Sequence, residues 1–467
     1  MTDVRTVHLN VDDRPQDGVF RVHASNFSDP EVFELEQKFI FERTWGFLGL
    51  DSQLPKPNDF LTTFLGRTSV LVSRSSDGTL GAFLNMCRHK GALVANTDSG
   101  NKRVHVCSYH GWAYDAAGKN VNVKDKNAAC YPRAFDSEGH GLIPLQRFES
   151  YKGLLFGSLN ANVPPLQEYL GEAAKVIDLA MDQGPEGMEF VPGRIAFTYD
   201  ANWKFQMDNG IDFYHLQSTH PSLMQVVEKR QRSKSGNLEA RQFDWRKRFD
   251  QTGGMFNFKY GHSVVWLNQA QPENRQIYSV IDEVRERVGE VKAAWMLKLR
   301  NMVVFPNLQI ADSTTLILRT FRPLSVGKTE MRMWCLAPAG EAPETRTWRL
   351  RQFEDFFNVS GLATPDDLTL FETAQVGCAA KDAQWMQGYQ RGMTAFHAGG
   401  NDASAELQMQ PVESLEGAYD IQNEICFHAT HREWARMMQA GGAGRSPYDN
   451  SSEAAVASPA SPENANG

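Results

Sequence analysis

The stretch from Cys87 to His110 limits what this chain can become more than any other. It reads Cys87-Arg88-His89, then seventeen residues, then Cys107-Ser108-Tyr109-His110. Two thiols and two imidazoles sit in two short clips joined by one loop. Such clips suit a [2Fe–2S] centre in which one iron takes two Cys and the other two His. Replacing Cys by His on one iron removes negative charge and raises the reduction potential. Gly91 and Gly111 let the backbone approach closely, and Trp112 can shield the centre from water. Two Cys and two His also make tetrahedral zinc sites, but zinc clips usually pair like with like. Here each clip mixes one of each, so the cluster is the expected occupant and structural zinc the competing one.

The second informative stretch runs from Asn202-Trp203-Lys204 to His220-Pro221. Asp208, Asp212 and His215 are spaced four and three apart, which places them on one helix face. His215 and His220 are five apart, roughly 140° around a regular helix. They converge on one ion only if the helix ends or bulges between them, and Pro221 biases His220 away from helical geometry. Two imidazoles and one carboxylate with open positions make the facial triad of non-haem Fe(II) oxygenases. The carboxylate must come from elsewhere, and Asp366 and Asp367 stand together at an expected helix start. Alone, His-x4-His is a weak signal and reads sooner as two polar residues on a solvated helix. Downstream of the first motif, it gives the chain an electron source and an electron sink.

The rest of the chain frames these two stretches. Residues 1–20 are polar and aperiodic, a mobile arm or subunit contact. Ser28-Asp29-Pro30-Glu31 reads as a capped helix start, and residues 1–44 are expected to pack with the catalytic domain. Residues 45–159 carry short strands at 60–65, 69–73 and 80–84, with turns at Ser76-Asp77-Gly78 and 115–118. Both clips then sit on loop tips of a small all-β domain. Residues 150–159 read as one buried strand leaving it. Residues 160–440 combine a helix at 166–181, strands at 256–260, 264–267, 302–305, 314–321 and 331–336, and a helix at 343–357 with Gly361 as its stop. The expected class is α+β, an antiparallel sheet flanked by helices. Residues 441–467 have too little apolar content to fold and read as a disordered tail.

The formal net charge of −8 weighs against a nucleic-acid partner. No apolar run approaches the ~20 residues that span a bilayer, and the start of the chain lacks the marks of a signal peptide. A cytoplasmic setting is expected. Cys130, Cys335, Cys378 and Cys426 show no paired spacing and read as buried small apolar residues.

At the first clips the chain resembles the Rieske domain of ring-hydroxylating oxygenases. At 202–221 it is similar to the large (α) subunits of the same family, whose motif runs Asn-Trp-Lys, an acid and Asn, then Asp-x-x-His-x4-His. The nearest likeness is to the benzoate and anthranilate dioxygenase branch. Phe148-Glu149-Ser150-Tyr151-Lys152-Gly153, Phe353-Glu354-Asp355-Phe356-Phe357-Asn358 and the run from Gly361 to Asp367 carry it. The resemblance implies Cys87, His89, Cys107 and His110 as holders of a [2Fe–2S] cluster. It implies His215, His220 and Asp367 as Fe(II) ligands and Asp212 as the acid linking the two centres. Asp208 stands where related chains carry Glu, which leaves its reach in question.

As a whole, the likeness implies the terminal oxygenase of a multicomponent dioxygenase. That enzyme takes O2 as co-substrate and NADH through a reductase, with or without a ferredoxin. It also implies a small β subunit in an α3β3 hexamer, and a small benzoate-like acid as substrate, giving a cis-diol or catechol-type product. Phe213, Met207 and Leu362 are pocket candidates, and the run holding Lys229, Arg230, Arg232 and Lys234 reads as a solvated charged stretch. The competing readings are a salicylate-hydroxylase-like monooxygenase on the same scaffold, a Rieske-type electron carrier, and a zinc-stabilised protein without redox function.

Overall fold

The computed structural model describes residues 3–232, 251–380, 382, 384–418 and 423–448. The all-β part holds three small sheets. Leu80–Leu84, Thr68–Arg74, Asp59–Leu65 and Ser99–Asn101 form the first, in that order. Val104–Val106, Ala113–Asp115 and Asn120–Asn122 form the second. Gly46–Leu50 pairs with Leu154–Ser158, which pairs with Arg147–Tyr151, to form the third. The single strand expected across 150–159 is therefore a hairpin. Lys152 and Gly153 both take positive φ, 51° and 82°, as a two-residue type I′ loop requires.

The third sheet ties the two parts of the chain together. Trp45, Phe47, Leu50, Leu154 and Phe156 are buried in one apolar cluster with Ile177, Trp266, Trp295 and Met302 of the larger part. That larger part is built on a ten-stranded sheet whose strand pairs are all antiparallel. Its centre runs Lys328–Pro338, Leu316–Ser325, Leu308–Asp312, Leu299–Val304, Ser263–Leu267 and Thr252–Asn257. Leu308–Asp312 and the flanking strands Met188–Phe190, Ile195–Tyr199 and Glu413–Ala418 are additions to the sequence reading. The expected helix at 166–181 breaks at Gly171 into Leu166–Leu170 and Ala174–Met181. The helix Pro343–Phe357 has the expected bounds. Gly361 acts by close approach rather than by a left-handed cap. A Cβ there would lie 2.8 Å from the Asp355 carbonyl oxygen.

Both chain ends differ from expectation. The arm at 1–20 is folded over its described residues: Val11–Arg14 and Val19–His23 pair as a hairpin, Val22 and His23 pair with Met386 and Trp385, and Phe20 is fully buried. Phe20 stacks on His428 with ring centroids 3.7 Å apart. At the other end the helix His428–Gly442 is followed by a folded turn to Tyr448, whose hydroxyl donates to Thr44 Oγ1 at 2.7 Å. Residues 441–448 thus belong to the fold, and 449–467 lie outside the described residues. Cys130 is exposed, against expectation, whereas Cys335, Cys378 and Cys426 are buried.

One buried polar knot joins the N-terminal segment to the helix Trp203–Asn209. Asp29 caps the helix Pro30–Glu36 by accepting from the Glu31 N–H. At that helix's end, Glu36 is completely buried and pairs with Lys204, itself completely buried. The Trp203 and Trp434 indole N–H groups donate to the same carboxylate at 2.9 and 2.7 Å. Removing one partner leaves an uncompensated charge in the core, at a cost of about 3–5 kcal/mol. Glu36→Ala should lower stability by that amount in chemical denaturation. The double variant Glu36→Met, Lys204→Met should recover much of it, and a Glu36→Ala chain as stable as the native one would contradict the assignment.

Candidate metal centres

The two clips are built alike by the backbone. In the first, the Cys87 N–H donates to the Ala92 carbonyl at 2.8 Å and the Gly91 N–H returns to Cys87 O at 2.9 Å. In the second, Cys107 and Trp112, and Gly111 and Cys107, repeat both bonds at the same distances. Gly91 and Gly111 hold φ of 76° and 74°, a conformation that side chains other than glycine rarely adopt. Conformation, more than close approach, explains these two glycines.

Cys87 and Cys107 are 1% and 2% exposed, while His89 and His110 sit half-buried at the rim. The two imidazoles face each other with centroids 4.4 Å apart, and Trp112 stacks on His89. Nδ1 of both histidines is buried without a partner. Two inward thiols and two orphaned ring nitrogens fit the donor set of a mixed-ligand cluster. The Tyr114 hydroxyl lies 3.3 Å from Cys87 Sγ and accepts from the Arg88 N–H. Burial, then the bond to Cys87, pushes that hydroxyl well above its ordinary pKa, so it stays protonated and can donate to sulfur.

The second site comes from two distant segments. Helix Trp203–Asn209 starts on Asn202, whose side chain accepts from the Lys204 N–H. It ends before Gly210, so Asp208, Asp212 and His215 do not share one continuous helix face, contrary to expectation. A short helix, Leu216–Thr219, then separates the two histidines. His220 is its non-helical C-cap, at φ −113° and ψ 46°, directly before Pro221. The break falls where Pro221 placed it. Helix Thr364–Cys378 supplies the acids from its first turn.

His215 Nε2 and His220 Nε2 lie 3.5 and 3.3 Å from Asp367 Oδ1. The three ligand atoms fall within 4.8 Å of one another, a set that can hold one metal ion. Asp366 instead faces the outer nitrogen, His220 Nδ1, at 3.3 Å, and Asp212 Oδ2 faces His215 Nδ1 at 3.0 Å. The Asn209 amide is an addition, donating to Asp367 Oδ1 at 3.1 Å and lying 3.2 Å from His215 Nε2. Burial pushes the Asp367 carboxyl up, but the His220 contact and the charges of His215, His220 and Arg319 outweigh it and hold the group below its ordinary pKa.

Asp208 reaches its partners despite its shorter side chain. The Tyr389 hydroxyl donates to it at 2.9 Å and His431 Nε2 lies 3.2 Å away. Of the pocket candidates, Phe213 and Leu362 lie against an apolar wall made by Leu216, Leu223, Val227, Leu267, Leu299 and Ala363. Met207 is fully buried in the main core. The expected charged stretch divides: Arg230 pairs with Asp355, Lys229 is exposed, and Lys234 lies outside the described residues.

Fold and donor sets together define a two-centre metalloprotein, an all-β cluster domain fused to an antiparallel catalytic domain. Residues 44–133 match the Rieske [2Fe-2S] domain, and residues 168–440 match the ring hydroxylating alpha subunit (catalytic domain). Toluate 1,2-dioxygenase subunit alpha of Pseudomonas putida is 40% identical, over 93% of this chain and 96% of its own. The 2-halobenzoate 1,2-dioxygenase large subunit of Burkholderia cepacia is 36% identical over 92% of both. The anthranilate 1,2-dioxygenase large subunit of Acinetobacter baylyi is 37% identical, again over 92% of both. Naphthalene 1,2-dioxygenase from Rhodococcus sp. bound to indole shares the fold, with a TM-score of 0.74 at 24% identity over 90% of this chain and 94% of that one. The chain belongs to the ring-hydroxylating α subunits of the Rieske oxygenases. It is an oxidoreductase with a [2Fe–2S] domain and a mononuclear-iron domain, and the large subunit of a multicomponent system. Among the described residues no helix is long and apolar enough to cross a membrane.

Glu424 generates a pH prediction. Burial, followed by the charges of Asp212 and Asp208, raises its carboxyl from 4.5 to about 7, against the lowering effect of Arg391. The folded chain therefore holds a proton that the unfolded chain releases. Stability present at acid pH is lost as pH rises from about 4.5 to about 7. Glu424→Gln should match the native chain near the acid end of that window and exceed it above the window, by on the order of 2 kcal/mol. Melting curves of the two chains that stay parallel across the window would contradict this.

Proposed function

We propose that this chain is the terminal oxygenase of an NADH-dependent dioxygenase that adds O2 to a small benzoate-like acid and gives a cis-diol. The observation that carries this reading is the convergence of His215, His220 and Asp367 beside an apolar wall. Its named relatives act on toluate, 2-halobenzoate and anthranilate, and each is a 1,2-dioxygenase. Those names favour dioxygenation of an aromatic acid over monohydroxylation.

In this reading Cys87, Cys107, His89 and His110 hold the cluster, and His215, His220 and Asp367 hold Fe(II). The bound iron supplies a site at which O2 and an electron can meet the substrate ring. Asp212 orients the His215 ring through Nδ1, which fixes which nitrogen faces the metal and makes that nitrogen a better donor. Phe213, Leu362 and the wall behind them keep the ring in an apolar setting. Tyr109, beside His110, and Tyr214, beside His215, are 61% and 48% exposed. We assign both to contacts between copies, where Asp212 of one α subunit would stand between the residues that would hold its iron and the residues of the neighbouring copy that would hold the cluster. An α3β3 assembly with a small β subunit, and a reductase with or without a ferredoxin, completes the system. The six unpaired cysteines suit a cytoplasmic setting.

The test is product analysis with a panel of aromatic acids, NADH and a generic reductase. A cis-diol from benzoate or a substituted benzoate is expected, and consumption of hydrocarbons only would contradict the substrate class. His215→Ala should keep the visible spectrum of the cluster and lose turnover, and retained product formation would refute the ligand assignment. Asp212→Ala should keep both metals and slow single-turnover oxidation of the cluster by about 10–100-fold or more. Native-rate oxidation in that variant would remove Asp212 from the electron path.

A further inference from the structure

Among the described residues four arginines are buried: Arg275, Arg300, Arg319 and Arg349. Three have a carboxylate. Arg275 and Arg300 share Asp312, and Arg349 grips Glu341 through two nitrogens. Arg319 is 8% exposed and differs. Among the described residues, its guanidinium makes one hydrogen bond, from Nε to Gln309 Oε1 at 2.6 Å, and no carboxylate lies within 4.0 Å. A buried cation without a counter-ion is costly, so its position calls for a reason.

Its position is fixed from behind. Arg319 and Gln309 are opposite one another on adjacent strands. Gln309 Nε2 donates to the Gln206 carbonyl at 2.9 Å, at the end of the helix that leads to the histidines. A Cβ on Gly210 would lie 1.4 Å from that nitrogen, so the turn after the helix rests directly on Gln309. The guanidinium lies 5.9 Å from the Phe357 ring. Phe357 and Met207 belong to the main core, and neither is part of the apolar wall beside the histidines. Asn209, next to Gly210, donates to Asp367 Oδ1 at 3.1 Å, so Gln309 and the Asn209-Gly210 turn link the guanidinium to that carboxylate. Arg319 is close enough that its charge acts on both Asp367 and His215.

We propose that Arg319 is a positioning residue that acts through Asp367, a fixed positive charge near the carboxylate that favours the ferrous over the ferric state of the bound iron. This rests on the assignment of His215, His220 and Asp367 as iron ligands. Fe(III) carries one more positive charge than Fe(II), and a cation held in a low-dielectric setting penalises that extra charge. Arginine keeps its charge there, where burial lowers its pKa only to about 10.

The experiment is a redox titration of the iron-loaded, full-length chain. Nitric-oxide-treated samples poised at each potential report the mononuclear Fe(II) by EPR. The cluster signal in the same samples is the internal control. Arg319→Met should favour Fe(III) by about tenfold or more, a midpoint lower by 59 mV for one electron. Arg319→Lys should stay near the native value, and the cluster midpoint should not move in either variant. Gln309→Glu places a carboxylate against the guanidinium without removing it. It should lower the midpoint in the same direction, and it keeps the test open if Arg319→Met does not fold. Native chain without a mononuclear Fe(II) signal overturns the ligand assignment and this role together. Iron present with its midpoint unmoved in Arg319→Met and Gln309→Glu overturns the role of Arg319 alone. So does an unmoved midpoint with a tenfold rise in KM for benzoate but not for benzamide, which would assign the guanidinium to the substrate carboxylate.

Discussion

Three ligand atoms from two segments some 150 residues apart in sequence must meet within 4.8 Å. Much of the local structure follows from that requirement. A regular helix through 208–220 would separate the imidazoles, so the chain stops at Asn209, turns, forms one short helix and leaves it at His220. The acid is brought back by an equally tight return. After Phe357 the chain re-enters a helix at Thr364, and it is held there by Thr364 Oγ1 donating to the Phe357 carbonyl and Leu362 N–H donating to Asp355 O. Asn209, Asp212 and Asp366 each touch one of these three residues. Pre-set orientation of this kind is what a metal site needs from its surroundings.

The cluster site meets its requirement by other means. Its geometry is written in two matching backbone turns, with thiols inward and imidazoles at the rim. The sheet beneath shares its core with the catalytic part through Trp45, Phe47, Leu50, Leu154 and Phe156. Swinging the cluster domain away would expose those side chains, at about 1.5–3 kcal/mol each.

The chemistry-bearing residues were legible because their meaning lies in residue type and spacing. Cys-x-His with Cys-x-x-His, His-x4-His before Pro221, and paired acids at a helix start survive without knowledge of the fold. Elements with one buried face were legible too, such as the helix Pro343–Phe357 and the strand Leu80–Leu84. The hairpin at Lys152-Gly153 was not, because its turn lacks the Asn-Gly or Asp-Gly signature and leads straight into the apolar strand Leu154–Ser158. The folded arm was not, because its burial depends on Phe20 and Val22 meeting residues from 385 to 428. The contacts around Asp208 and Arg319 are likewise long-range. Nothing near Asp208 announces Tyr389 or His431, and nothing near Arg319 announces Asp367.

Two separate iron centres in one chain are the core of this account, and metal counting reaches that claim most directly. Iron and acid-labile sulfide should be assayed on purified protein before and after mild treatment with a ferrous chelator. About three irons to two sulfides per chain are expected, falling to about two to two after the chelator, with the visible spectrum unchanged. Iron and sulfide in equal amounts from the start, even after incubation with Fe(II), or zinc in place of iron, would contradict it.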